Sequence, residues 1–178
     1  MKKLLFGLFI FIFSVSFAQD KLSYSLIVKV DSLTKKEVLF DRVSNRMASL
    51  YGSNFKYEKD VIISDRNQGI IKLKFSKPYH KGDAFSNVAG DIFFTMTFLF
   101  KDGKSKIDLS DFEHVGNASM GVILNTEDYP YSNYKMFKGT MNKNWKNLRA
   151  YLDESKDSLL DLGESIVKKP GEAENNNW

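Results

Sequence analysis

The sequence predicts a single α+β domain in which one strand, a helix, four strands and a second helix follow one another. Three observations support this order. Apolar residues alternate with polar ones in five short segments, and they recur every three or four residues in two longer ones. Glycine-containing turns join neighbouring strands. The chain has 178 residues, of which 43% are hydrophobic and 27% charged, which is the composition of a globular protein.

The first eighteen residues are predicted to be a cleaved secretory signal. Two lysines precede the apolar run 4–17, and Ser16 and Ala18 supply the small residues of a cleavage site. The run is fourteen residues long, short of the roughly 20 needed to span a bilayer. Cleavage after Ala18 is therefore favoured over an uncleaved anchor. We expect an exported protein, periplasmic or secreted, with outer-membrane association left open and no transmembrane anchor after cleavage.

The charge and cysteine counts exclude several classes of protein. Without the signal the chain holds 24 basic and 22 acidic residues, and an excess of only two charges argues against nucleic acid as a partner. The absence of cysteine excludes disulfides, thiolate zinc sites and a cysteine nucleophile. We expect one domain over 19–168, followed by a flexible polar tail over 169–178.

A strand and a capped helix open the domain. Residues 22–30 alternate with period two, as in a half-buried strand. Thr34 is predicted to cap the next helix, with Glu37 completing a capping box and Leu33 packing on Val38 as a hydrophobic staple. The apolar stripe of this helix consists of Leu39, Phe40, Val43, Met47 and Leu50, with Arg42, Asn45 and Arg46 on the opposite side. Gly52 is predicted to end the helix.

Four strands are predicted at 61–64, 70–75, 92–101 and 105–112. Gly69 closes the first hairpin, and the Asp102-Gly103 pair closes the second. The segment 115–140 is irregular, with a short strand or helical turn expected near 121–124. Four aromatic residues are expected to pin it to the domain, namely Tyr129, Tyr131, Tyr134 and Phe137. An amphipathic helix is predicted over 142–167, ended by Pro170 and Gly171.

Three local motifs give the chain a family resemblance. They are the helix entry 33–38, the hairpin 65–70 and the late hairpin 98–104. Together with the order of elements, they resemble the secreted bacterial family known as domain of unknown function 4468. The resemblance covers roughly 22–114. The chain departs from the family pattern at Met47-Ala48, where a tryptophan is expected, and at Ser105, where an aromatic residue is expected between basic ones.

The resemblance implies a TBP-like fold, with two helices packed on one face of an antiparallel sheet and the other face open. The family brings no assigned activity and no site residues. The inward-facing set is then expected to be Leu26, Val28, Leu73, Phe75, Phe94, Met96, Phe98, Ile107 and Leu109. The outward-facing set is expected to be Ser25, Ile27, Lys29, Lys72, Lys74, Phe93, Thr95, Thr97, Leu99, Lys101, Lys106 and Asp108.

No catalytic or metal-binding motif stands out in the sequence. His80 and His114 are isolated, and strand alternation is predicted to send Asp108 to the face opposite Asp111 and Glu113, so that no acid–base pair forms. We therefore expect no enzyme activity, no cofactor and no metal. A hydrolase or metal-dependent enzyme that uses His80 or His114 with nearby acids stays as the weakest alternative.

The open sheet face is the candidate binding surface, because aliphatic, aromatic and basic residues are mixed on it. We expect the protein to be a non-enzymatic binding or interaction module of the bacterial cell envelope, for an unknown protein or small ligand. The candidate ligand-binding residues are Ile27, Lys29, Lys72, Lys74, Phe93, Thr95, Leu99 and Lys101. Two alternatives stay open. The segment 115–140 covers the apolar residues of this face, or the protein is a structural module that forms a homodimer through its C-terminal helix.

Overall fold

One antiparallel sheet of six strands organises the chain. The computed structural model describes residues 20–80, 88–131, 138–171 and 174. The predicted signal therefore lies outside the described residues. The elements are β1 (Tyr24–Lys29), α1 (Lys36–Ser44), α2 (Met47–Tyr51), a 3₁₀ turn (Gly52–Asn54), α3 (Tyr57–Asp60), β2 (Val61–Asp65), β3 (Ile70–Tyr79), β4 (Gly90–Lys101), β5 (Lys104–Gly116), β6 (Gly121–Val122) and α4 (Lys138–Lys168).

The strands lie in the spatial order β1-β5-β4-β3-β2, and β6 pairs with the far half of β5. The pairing β4–β5 runs almost the whole length of both strands, from Gly90 opposite Gly116 to Lys101 opposite Lys104. Both predicted hairpins are present, and their glycines adopt the left-handed backbone that a tight turn requires, with φ of 66° at Gly69 and 72° at Gly103. The predicted α+β order is thus confirmed.

The main helices α1 and α4 cover the same face of the sheet. Phe40 of α1 packs edge-on against Phe100 of β4, with ring centroids 5.9 Å apart. Gly163 of α4 lies directly over Ile107 and Met96. Along most of β4 and β5, every second residue points to this face and is buried. The helices and this sheet face therefore form a single apolar core. The predicted inward-facing residues all lie in that core or pack against it.

The start of α1 differs from the prediction. Lys35, not Thr34, is the N-cap residue, and no side chain of its own segment caps the helix. Instead, the Lys36 amide donates to the carboxylate of Asp102 in the β4–β5 turn. Leu33 is 83% exposed, so the expected hydrophobic staple is absent. The Gly103 amide donates to the Thr34 carbonyl and so holds the loop before α1 against the β4–β5 hairpin. The hairpin turn therefore caps the helix in place of the predicted capping box.

The single predicted helix over 34–51 is divided into α1 and α2. Its stripe is buried as expected at Leu39, Phe40, Val43 and Met47. Arg42, predicted to face solvent, is buried instead and donates to the Val167 carbonyl and to the carboxylate of Glu174. Of the tail 169–178 the structure describes 169–171 and Glu174, and there Glu174 joins the chain to α1. The rest of the expected mobile tail lies outside the described residues.

The described part of the irregular segment, 115–131, packs at the sheet edge and on the helix side. The predicted short strand is β6, and Ile123 continues the edge by donating to the Phe112 carbonyl. Tyr129 and Tyr131 both pack edge-on against Trp145 of α4, with centroids 5.6 and 6.4 Å away. Tyr134 and Phe137 lie outside the described residues. Among the described helices, none combines the length and the hydropathy of a membrane-spanning segment.

Candidate functional site

The strand register places all eight candidate residues on the open face of the sheet. In β4 the odd-numbered residues point away from the helices. In β5 the even-numbered residues do so as far as Ser110. The buried core residues of both strands point the other way. Ile27 pairs with Lys106, and Lys29 pairs with Lys104, so the outward residues of β1 share this face. On β3, Lys72 pairs with Thr97 and Lys74 with Thr95.

Three aliphatic side chains and one lysine form a row across this face, which we call the aliphatic row. Following the pairing from β1 to β3, the row consists of Ile27, Lys106, Leu99 and Ile70. Ile27 is 61% exposed and Leu99 is 38% exposed, although both side chains are large and apolar. Ile63 of β2, in the neighbouring row, is 40% exposed. The described residues of 117–131 pack at the sheet edge and on α4, and they leave Ile27 and Leu99 exposed.

A groove of about 420 Å³ lies at the other end of the same face. Lys74 borders it with its ammonium 5.4 Å from the centre of the Phe93 ring, in cation–π contact. On the far side of Lys74 and Phe93, a second hollow of about 320 Å³ opens towards α2 and the 3₁₀ turn. The residues lining the groove are Ile62, Lys74, Phe93, Phe94, Thr95, Asp111, Glu113 and Val115.

Asp111 organises the polar centre of the face, and the sequence-based reading of it was wrong. A bulge in β5 inserts an extra residue opposite Phe94, and Asp111 adopts a left-handed backbone with φ of 56°. The bulge shifts the alternation, so Asp111 lines the groove together with Glu113 and lies on the same face as Asp108. These carboxylates are therefore not separated by the sheet, contrary to the prediction.

The Asp111 carboxylate binds two of the candidate residues. Its Oδ2 accepts from Lys72 Nζ at 3.0 Å and from Thr95 Oγ1 at 3.1 Å, and its Oδ1 lies 3.5 Å from Lys21 Nζ. The hydrogen bond from Lys72, above all, holds the pKa of Asp111 below its ordinary value, against the opposing effect of partial burial. Lys72 and Thr95 thus have a partner within the domain.

A signal for this bulge was present in the sequence. Inward apolar residues in β5 step by two from Ile107 to Leu109, and the next, Phe112, follows after three. A step of three within a strand breaks the period of two and marks an inserted residue. Simple alternation places this aspartate on the face opposite Asp108 and does not predict its role in the open face.

The end of the face opposite the groove is basic. Lys29 pairs with Lys104 across β1 and β5, and Lys104 pairs with Lys101 across β5 and β4. We call these three residues the lysine row. Lys106, in the next row, has an acidic partner, since its ammonium lies 2.8 Å from Asp108.

The two histidines lie in different environments. His80 is exposed at the end of β3. His114 is fully buried on the helix side, where its Nδ1 accepts the Met120 amide at 3.1 Å and its ring packs edge-on against Tyr79. Burial lowers the pKa of His114, which favours the neutral ring. Among the described residues, no three His, Asp or Glu side chains are close enough together to hold a metal ion.

Comparison with known protein families decides the relationship. The family model described as a domain of unknown function with TBP-like fold, DUF4468, matches residues 24–115, more than half of the chain. The chain belongs to the DUF4468 family. The matched region contains β1 to β4 and all of β5 except its last residue, and with them every candidate residue on the open face. No curated protein matches the chain.

Solved structures resemble this DUF4468 domain over most of its length. A DUF4468 family protein from Bacteroides ovatus superposes with a TM-score of 0.57 and 15% sequence identity, covering 88% of this chain and 90% of its own. A TBP-like protein from Parabacteroides distasonis gives a TM-score of 0.49 at 18% identity, covering 79% of this chain and 93% of its own. The first similarity agrees with the TBP-like fold expected from the sequence.

Proposed function

We propose that this DUF4468 protein is a non-enzymatic binding module of the bacterial cell envelope, and that it recognises its partner with the open face of its sheet. The observation that supports this proposal is the exposed aliphatic row. Ile27 and Leu99 stay 61% and 38% exposed on a face whose opposite side already supplies the core. Leu99 pairs directly with Ile70, and Ile27 lies on the other side of Lys106. Exposed apolar residues that are rimmed by polar ones mark interaction sites.

The groove beside the aliphatic row adds a shape that a partner can enter. Phe93 offers an aromatic wall, Lys74 a cation next to it, and Glu113 an acceptor. Protein interfaces commonly combine apolar contacts with polar groups of this kind. The envelope location rests on the predicted signal at 1–18.

Self-association through α4 is supported less well. The stripe that suggested it is already used within the domain, because Trp145, Leu148 and Leu152 are buried against the sheet. A homodimer formed through this stripe would require α4 to lose its packing against the sheet of its own domain. Leu162, on the outer side of α4, is 39% exposed and offers a single apolar side chain.

Photo-crosslinking in the native host tests the proposed face. A benzoylphenylalanine replaces Leu99 in one variant and Leu162 in another, since these leucines have nearly equal exposure, 38% and 39%, on opposite sides of the domain. We expect adducts of defined mass at position 99 and none of comparable yield at position 162. Equal yields at both positions, or no adduct at 99, contradict the proposal.

Substitution supplies a second, independent test. The double variant Phe93→Ser, Leu99→Ser is expected to lose any ligand or chain seen in native mass spectra of the protein purified from its host, while circular dichroism shows a folded domain. The control is Leu162→Ser, which removes from α4 a leucine about as exposed as Leu99. If the double variant keeps its bound mass, the open face is not the binding surface.

A further inference from the structure

The lysine row is an arrangement that folding alone disfavours. Lys29, Lys104 and Lys101 stand directly opposite one another on three adjacent strands. Directly paired residues have Cβ atoms about 5 Å apart, and like charges at that distance destabilise a sheet. Among the described residues, no carboxylate forms an ion pair with any of the three, whereas Lys106, Lys72 and Lys21 each have one. Three uncompensated cations in a line indicate an anionic partner.

Exposed aliphatic side chains lie at the same end of the domain. Ile27 is adjacent to Lys29 in the outward pattern of β1. Leu33, in the loop after β1, is 83% exposed and is the most exposed large hydrophobic residue of the described chain. This loop is fixed beside the lysine row, because the Val30 amide donates to the Gly103 carbonyl and the Gly103 amide to the Thr34 carbonyl. Cations and protruding aliphatic groups thus share one edge.

We propose that this end of the open face docks on an anionic lipid surface, with the lysine row against lipid phosphates and with Ile27 and Leu33 in the headgroup layer. The proposal rests on the proposed function, since it names the chemistry that one part of the same face binds. Basic residues beside exposed aliphatic ones are the combination with which peripheral proteins bind membranes.

The type of cation favours lipid over an acidic protein. All the basic residues at the predicted outward positions are lysines, and none is an arginine. Arginine suits paired, directional contacts with carboxylates, and lysine is depleted in the centres of protein interfaces. An ammonium is a point charge that binds a laterally mobile phosphate without a fixed geometry. Leu33 also protrudes singly, so a lipid layer can accept it without a matching pocket.

Vesicle flotation tests the proposal on the mature protein purified from its host envelope. Vesicles of phosphatidylcholine alone are compared with vesicles that also contain phosphatidylglycerol. We expect binding to the anionic vesicles only, and weaker binding as salt is raised, because the Debye length falls from about 10 Å at 0.1 M to about 3 Å at 1 M. The triple variant Lys29→Gln, Lys101→Gln, Lys104→Gln is expected to bind about 100-fold more weakly, from the usual contribution of a lysine near an anionic surface.

The matched control removes the same charge elsewhere. The variant Lys138→Gln, Lys146→Gln, Lys169→Gln changes three exposed lysines of α4 and the residues after it, and it is expected to bind as the wild type does. The single variant Leu33→Ser is expected to weaken binding without changing its salt dependence. The variant Lys29→Gln, Lys101→Gln, Lys104→Gln is expected to remain folded, because it removes the repulsion between neighbouring lysines. Thermal unfolding checks that it is folded.

Several outcomes overturn the lipid proposal. They are equal loss in the two triple variants, equal binding to neutral vesicles, and no flotation at all. If fluorescence anisotropy shows that the lysine row binds poly-glutamate while flotation fails, the partner is an acidic protein. If flotation fails but a specific crosslink forms at position 99, only the lipid proposal is wrong and the proposed function stands. If flotation fails and no specific crosslink forms, the proposed function is wrong as well.

Discussion

The backbone amide of Lys36 donates to Asp102 Oδ1 at 2.9 Å, so the first turn of α1 is capped by a residue 66 positions later in the chain. The other carboxylate oxygen lies 3.1 Å from Lys35 Nζ. These contacts join the β4–β5 hairpin to the loop before α1, and they fix the end of the sheet that carries the lysine row. They also lower the pKa of Asp102, with the Lys36 amide as the main cause.

Removal of this cap is expected to loosen the start of α1. Asp102→Ala leaves the Lys36 amide without its acceptor, and hydrogen exchange of that amide is expected to become faster. Asp102→Asn keeps an acceptor oxygen and is expected to show a smaller effect. Hydrogen exchange followed by NMR measures both variants. Unchanged protection of Lys36 in the alanine variant shows that the cap is not needed.

Reversal of one charge in the lysine row is expected to stabilise the domain. Lys104→Glu places a carboxylate between Lys29 and Lys101 and turns two repulsive pairs into attractive ones. We expect the free energy of unfolding in urea to rise by about 0.5 kcal/mol, with a smaller rise for Lys104→Gln. Both gains are expected to vanish in high salt, where exposed charges are screened. A gain that persists there has another cause.

The stability of the domain is expected to depend on pH through Asp111. Its pKa is lowered in the folded state, so its contribution is present above its unfolded-state pKa of about 3.9 and is lost as the pH falls through the folded value. Asp111→Asn preserves the left-handed backbone but cannot pair with Lys72 as an anion. We expect this variant to be less stable at neutral pH, with a flatter dependence of the urea midpoint on acidic pH.

The control for that measurement is Asp157→Asn on the exposed side of α4. It is expected to leave the pH dependence of the urea midpoint as it is in the wild type. An acid transition in Asp111→Asn that equals the wild-type transition contradicts the assigned role of the Asp111 carboxylate.

Two glycines of α4 are expected to respond in opposite directions to alanine. A Cβ at Gly163 meets Ile107 Cδ1 at 3.1 Å and Met96 Sδ at 3.4 Å, whereas a Cβ at Gly139 meets nothing within 4 Å. Overpacking costs about 1–3 kcal/mol and exceeds the gain of about 1 kcal/mol in helix propensity. We expect Gly163→Ala to lower the stability by about 1 kcal/mol and Gly139→Ala to raise it by a few tenths.

Thermal and urea unfolding of the two glycine variants measure this difference. The shared helix and the identical chemical change make Gly139→Ala the control for Gly163→Ala. An equal gain in stability in both variants contradicts this prediction. It means either that Ile107 moves aside without cost or that α4 lies farther from the sheet than the structure shows.

The sequence by itself determined the five long strands, the long C-terminal helix and the two faces of the sheet. Period-two patterns placed β1 to β5 and separated Met96 and Phe98 from Thr97 and Leu99, because a strand turns successive side chains to opposite sides. Glycine identified both hairpin turns, since few other residues tolerate their backbone. The stripe of α4 identified the helix, because the apolar side must be buried.

Only the tertiary structure decided which distant groups meet. Local rules assigned the cap of α1 to Thr34, but a carboxylate brought by the β4–β5 turn took that role. The buried position of Arg42 follows from the Val167 carbonyl at the end of α4, which no pattern near Arg42 reveals. The bulge at Asp111 gave the open face its polar centre. Each depends on a contact between segments far apart in the chain, and periodicity reports only the environment that a segment prefers.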